Sequence, residues 1–108
     1  MDKIDLTQPV KLHLEEAIQY NPGAIVSRTL IKNENNNLTL FAFDEGQDLS
    51  EHISPFNAFL QVLEGEVELK IGGKPLIVKQ GEMALMPANL PHALKALTQL
   101  KMLLIMMK

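Results

Sequence analysis

The stretch Glu66-Val67-Glu68-Leu69-Lys70-Ile71-Gly72-Gly73-Lys74-Pro75-Leu76-Ile77-Val78 decides the fold. Its first six residues alternate, with charges on one side and Val67, Leu69 and Ile71 on the other. That is the period of a half-buried strand. Gly72-Gly73 then supplies two adjacent positions free to take positive φ, which a two-residue hairpin requires. A second strand is expected from Pro75 to Val78. An amphipathic strand in a tight hairpin needs an antiparallel sheet to bury its apolar side.

Working outward, the same grammar repeats. Residues 24–31 are rich in β-branched side chains, and Asn33-Glu34-Asn35-Asn36-Asn37 is a polar turn cluster. A strand is expected from Leu38 to Phe43, closing at Asp44-Glu45-Gly46. Pro55 precedes a run from Asn57 to Leu63, which ends at Glu64-Gly65. Lys79-Gln80-Gly81-Glu82 turns into Met83 to Met86, Pro87-Ala88-Asn89-Leu90-Pro91 is a loop, and His92 to Ala96 and Lys101 to Met106 are the last strands. Short strands with turn signals every eight to twelve residues predict a sandwich or barrel. No helical period follows residue 20, so nothing supports parallel crossovers. Before it, residues 12–18 read either as a short helix or as an alternating strand. The 108 residues are expected to form one domain, with 1–23 an N-terminal appendage and 24–108 the barrel.

Two spaced motifs sit on this frame. The first runs Gly46, His52, Ser54, Ala58, Gly65; the second runs Gly81, Pro87, Asn89, His92, Ala96. In order and register they resemble the two motifs of the cupin superfamily, with the Gly72-Gly73 hairpin between them. The likeness covers about residues 38–106 and is to the small single-domain cupins. It implies an all-β, antiparallel double-stranded β-helix, or jelly roll. Glycine at 46, 65 and 81 suits strand ends that need positive φ. The even separations of His52, Ser54 and Ala58 put them on one face of an unbroken strand. His92, from a later strand, is expected to face them across the barrel mouth.

In metal-binding cupins the first motif offers two histidines and a glutamate, and the second a third histidine. Here Ser54 and Ala58 stand at two of those positions, so the resemblance leaves an incomplete metal set of His52 and His92. The expected cofactor is at most a weakly bound divalent transition metal (Zn, Ni, Mn or Fe), because a tight site takes three or more protein ligands. Gln61 is odd-numbered from Ala58 and points to the opposite face. The expected ligand-binding set is His52, Ser54, His92, Phe56, Leu60 and Met86. His52 and His92 would hold the ligand's polar end, Ser54 would hydrogen-bond it, and the others would wall it. His13 lies outside both motifs and reads as a surface histidine. Arg28 reads as a carboxylate grip or an ion pair.

Composition removes whole classes of function. The net charge is −3, and the lysines, among them Lys3, Lys32, Lys70, Lys79 and Lys108, form no cluster, so no nucleic-acid footprint exists. There is no cysteine, hence no disulfide, thiolate metal site or cysteine nucleophile. Met1-Asp2-Lys3-Ile4-Asp5 lacks a signal-peptide pattern, and the apolar tract Met102 to Met107 is too short for a membrane span. A cytoplasmic protein is expected. Leu100 to Met107 is apolar on both faces, which predicts one face in the barrel and the other against a second subunit, hence a homodimer. Three functions follow: a small-molecule-binding cupin; a metal-dependent dioxygenase or isomerase using His52 and His92; or a non-catalytic structural or regulatory homodimer.

Overall fold

A computed structural model describes residues 4–5 and 7–108. Most of the expectation for Met1 to Asp5, including Lys3, lies outside the described residues. Among the described residues, nine strands follow a short 3-10 turn, Leu14–Glu16. They are β1 (Ile25–Lys32), β2 (Asn36–Phe43), β3 (Asp48–His52), β4 (Asn57–Glu64), β5 (Glu66–Ile71), β6 (Lys74–Lys79), β7 (Met83–Met86), β8 (His92–Ala96) and β9 (Leu100–Met107). One sheet has the order β1-β2-β9-β4-β7 and the other β3-β8-β5-β6, with all pairings antiparallel. This is the expected jelly roll.

Alternation explains the layers. Val67 and Leu69 on β5, Leu94 and Ala96 on β8, and Val78 on β6 point inward from the four-stranded sheet. Phe43, Ala58, Leu60, Val62, Leu100 and Met102 meet them from the five-stranded sheet. The opposite parity of the larger sheet, Leu30, Leu40, Ala42 and Leu103, forms a second cluster with Ile18 of the N-terminal segment. Each fully buried aliphatic side chain contributes roughly 1.5–3 kcal/mol, so the appendage is part of the fold's apolar economy.

That second cluster revises one expectation. The outer face of β9 carries Leu103 and Ile105, and the chain's own N-terminal segment covers it with Leu12, Leu14 and Ile18. Two cations pin the segment there. Arg28, on the outer face of β1, donates to Ala17 O. Lys101, only 8 % exposed, donates to Glu15 O at 2.5 Å and lies 5.1 Å from the Tyr20 ring centroid. Arg28 therefore holds backbone carbonyl rather than a carboxylate. A cation is the fitting partner for carbonyls at the end of a helical turn, which carry partial negative charge. His13 is exposed as expected, with Glu16 3.4 Å away.

Candidate functional site at the histidine end of the barrel

Sequence parity put His52, Ser54 and Ala58 on one strand. The structure breaks the chain between them. His52 ends β3 in one sheet, Ala58 lies on β4 in the other, and Ser54 sits in the connection, residues 53–56. Pro55 explains the break, because it fixes φ and offers no N–H to a ladder. Ser54 organises this turn: its Oγ accepts from Phe56 N at 3.2 Å, and its carbonyl accepts from Asn89 N at 2.8 Å. The hydroxyl proton of Ser54 is thereby left to donate elsewhere.

His52 and His92 do meet, though not across the barrel. They are directly opposite each other in the β3–β8 ladder. Leu49 pairs with Leu94, and the next pair is His52 with His92. Three residues on β3 thus span two on β8, which is a β-bulge. Without the extra residue, the parity of Leu49 would send His52 outward. The bulge re-aims it to the inner face beside His92. Position 92 shares the inward parity of Leu94 and Ala96, and His92 is buried, whereas His52 is exposed at the mouth. The rings contact edge to face, with centroids 4.2 Å apart.

Each ring is held by the backbone two residues earlier. His52 Nδ1 lies 2.8 Å from Ser50 O, and His92 Nδ1 lies 3.3 Å from Leu90 O. Burial first, and then the neighbouring His52, holds the His92 imidazole below its ordinary range; the bond to Leu90 O partly opposes this. An unfolded histidine titrates near pH 6.5. Between the lowered folded value and about 6.5 the unfolded chain binds more protons, so stability is complete above that window and falls as pH drops through it. We expect unfolding midpoints between pH 7.5 and 5.5 to fall less in His92→Gln than in the wild type. Equal slopes in the two proteins would reject this coupling.

The connections 53–56 and 87–91 join this end of the small sheet to the Ala58 and Met86 end of the large one. At that end of the large sheet Ala58 pairs with both Met86 and Met106, and in the small sheet Ile71 pairs with His92. Met86 is 2 % exposed and Leu60 fully buried; both belong to the packed core, and Phe56 is half-buried with Lys108 Nζ 5.7 Å from its ring centroid. Gln61 points away from Ala58, as parity requires. Two surface concavities open elsewhere. One of about 370 Å³ lies beside Leu76, Ile77, Met83 and Leu85, and one of about 190 Å³ lies over Asp48, Glu68, Lys70 and Lys95. Sequence reasoning missed the carbonyls of Ser50 and Leu90. No residue type marks a backbone acceptor, so no signal could have found them.

A jelly-roll barrel with paired imidazoles at one end defines a class, and comparison with known proteins places the chain within it. The chain belongs to the cupin family: the Cupin domain profile matches residues 39–107. A conserved protein of unknown function from Streptococcus pyogenes is 33% identical over 100% of this chain and 96% of its own, with a TM-score of 0.90. A cupin 2 conserved barrel domain protein from Leptotrichia buccalis is 42% identical with a TM-score of 0.87, over 90% of this chain and 47% of that one, so the present chain spans about half its length. A cupin superfamily protein from Desulfitobacterium hafniense shares the fold at 22% identity and a TM-score of 0.88. No match is found among the curated proteins.

The family raises the question of a metal. Among the described residues, no group of three or more His, Cys, Asp or Glu side chains converges. Ser54 Oγ is engaged in its turn, and Ala58 offers no donor. Two imidazoles fall short of the three protein ligands that a resident transition metal takes. The donor set therefore does not fit a resident metal. Among the described residues, no helix is long and apolar enough to cross a membrane.

Proposed function

We propose that this cupin binds a small molecule at the histidine end of the barrel, with His52 and His92 as its polar grip and Ser54 at the rim. The observation that carries the reading is the β3 bulge. It interrupts a ladder in order to bring an exposed imidazole onto the inner face, beside a buried one. Bulges re-aim side chains next to functional sites. Ile71, Ala58 and Met106 offer an apolar wall for the ligand's body.

The test is a thermal-shift screen of a metabolite collection against the wild type and His52→Ala/His92→Ala. A ligand at a hundred times its Kd stabilises by about 2.7 kcal/mol, and that gain should vanish in the double variant. Ligands that stabilise both proteins equally would reject the site. Elemental analysis of the same two samples addresses the oxygenase or isomerase reading. Near-stoichiometric metal in the wild type alone would favour it over metal-free binding.

A second reading, a homodimer, draws on a separate observation. The outer face of β9 is covered from within the chain, but Leu76, Ile77, Met83 and Leu85 are each close to half exposed on the free edges β6 and β7. Edge strands are normally guarded by lysine or proline. Lys74, Pro75 and Lys79 guard β6, whereas Met83-Ala84-Leu85-Met86 has no guard. Light scattering should give a dimer mass for the wild type and a monomer mass for Met83→Lys/Leu85→Lys. A monomeric wild type would reject this reading.

A further inference from the structure

We infer that the histidine site selects a neutral ligand bearing a hydroxyl group, such as a phenol or an alcohol, in preference to a carboxylate. The inference rests on the binding reading above and deepens it.

A backbone carbonyl can only accept a hydrogen bond. Ser50 O at 2.8 Å and Leu90 O at 3.3 Å therefore place the ring proton of each histidine on Nδ1. A neutral imidazole has one N–H, so both Nε2 atoms present lone pairs. The anchors are local, each two residues before its histidine, so the backbone of the bulge and of the 87–91 loop builds the orientation in. With both rings neutral, the pair is a double acceptor. A carboxylate is also acceptor-only when ionised; it could take the Ser54 proton but has nothing to donate to either imidazole lone pair. A hydroxyl donates to either Nε2, and its oxygen can take the Ser54 proton that the turn leaves free.

The apolar surroundings agree. Ile71, Ala58, Met86 and Met106 offer no countercharge to an acid. Edge-to-face contact of the two rings also makes a doubly protonated pair unfavourable, since two like charges would sit 4.2 Å apart between centroids. Two cations do lie at the rim. Lys74 is exposed opposite Ile71, and Lys108 lies over Phe56. They would draw an acid toward the outside of the mouth, and the acid arm of the test measures that pull directly.

The test is nitrogen-15 NMR of the histidine rings of the full chain at pH 7.5, titrated with phenol and with benzoate. The two probes share a ring and differ in the group at issue. The expected result is Nδ1–H tautomers for His52 and His92, and Nε2 resonances that move with phenol at concentrations at least tenfold below those of benzoate. Nε2–H tautomers, or benzoate binding as well as phenol, would overturn the selectivity while leaving a binding site. If neither probe moves the His52 or His92 resonances, the binding reading itself falls, and the selectivity with it.

Discussion

Gly65→Ala is expected to lose about 3–5 kcal/mol of stability, or to yield no folded protein, whereas Gly81→Ala loses about 1–2 kcal/mol. Both glycines hold nearly the same backbone conformation, with φ of +87° and +85°. An L-residue pays about 1–2 kcal/mol for that conformation at either position. The surroundings separate them. A Cβ on Gly65 would stand 2.0 Å from Gln99 O and 2.6 Å from Thr98 Oγ1, while one on Gly81 meets nothing within 4 Å. The turn at residues 97–99 cannot retreat cheaply. Glu66 N donates to Thr98 Oγ1 at 3.1 Å, Leu97 N donates to Glu66 O at 3.0 Å, and Leu100 beyond them is fully buried. Moving that turn pulls on the start of β9, which lies mid-sheet between β2 and β4. Thermal unfolding of the two variants decides the matter. With roughly 4 °C per kcal/mol for a domain near this size, the Tm of Gly65→Ala should fall by about 12 °C or more, and that of Gly81→Ala by about 4–8 °C. Equal losses would show that φ alone governs Gly65.

The same pair of glycines shows where sequence reading stops. That Gly46, Gly65 and Gly81 need positive φ is legible from their places at strand ends, and all three have it, at +82°, +87° and +85°. That Gly65 also touches Gln99 depends on a contact across thirty-four positions, which local pattern does not encode. Strands behave likewise. Glu66–Ile71, Met83–Met86 and His92–Ala96 have the expected ends because turn residues bound them sharply. Strand β3 is missed, since Asp48-Leu49-Ser50-Glu51-His52 holds a single aliphatic residue and shows no alternation. Its absence from the sequence reading is why His52, Ser54 and Ala58 were expected on one strand. The histidine pairing is legible as chemistry, two imidazoles from two motifs, but its geometry is not, because a bulge changes parity by one residue without leaving a compositional mark. For β9 the pattern carries the burial of both faces correctly. What covers the outer face is settled by Leu12, Leu14 and Ile18, whose spacing alone is ambiguous between helix and strand.

Leu60→Ala is the second large effect, and it separates a core residue from a ligand contact. Closeness to the motif positions suggested Leu60 as a wall of the ligand site. In the fold it is fully buried on the inner face of β4, with Leu104 and Ala84 as its cross-strand neighbours. Two levels of side chain distinguish it from the mouth: Ala58 is the inward residue nearer His52, and Leu60 is the next one down the strand. Truncating a buried leucine removes its transfer free energy and leaves a cavity that the surroundings fill only in part, at a cost of about 2–5 kcal/mol. Here relaxation is limited. Ala84 is too small to reach inward, and Leu104 is fixed on a central strand paired on both edges. A loss near the middle of that range, about 3 kcal/mol, is therefore expected in urea unfolding, with the m-value unchanged. The functional half of the prediction follows from position. At temperatures where the variant is folded, the phenol response of the His52 and His92 resonances should stay within about twofold of the wild type. A Leu60→Ala protein of normal stability that has lost this response would instead place Leu60 at the ligand, and would move the site from the mouth into the barrel's interior.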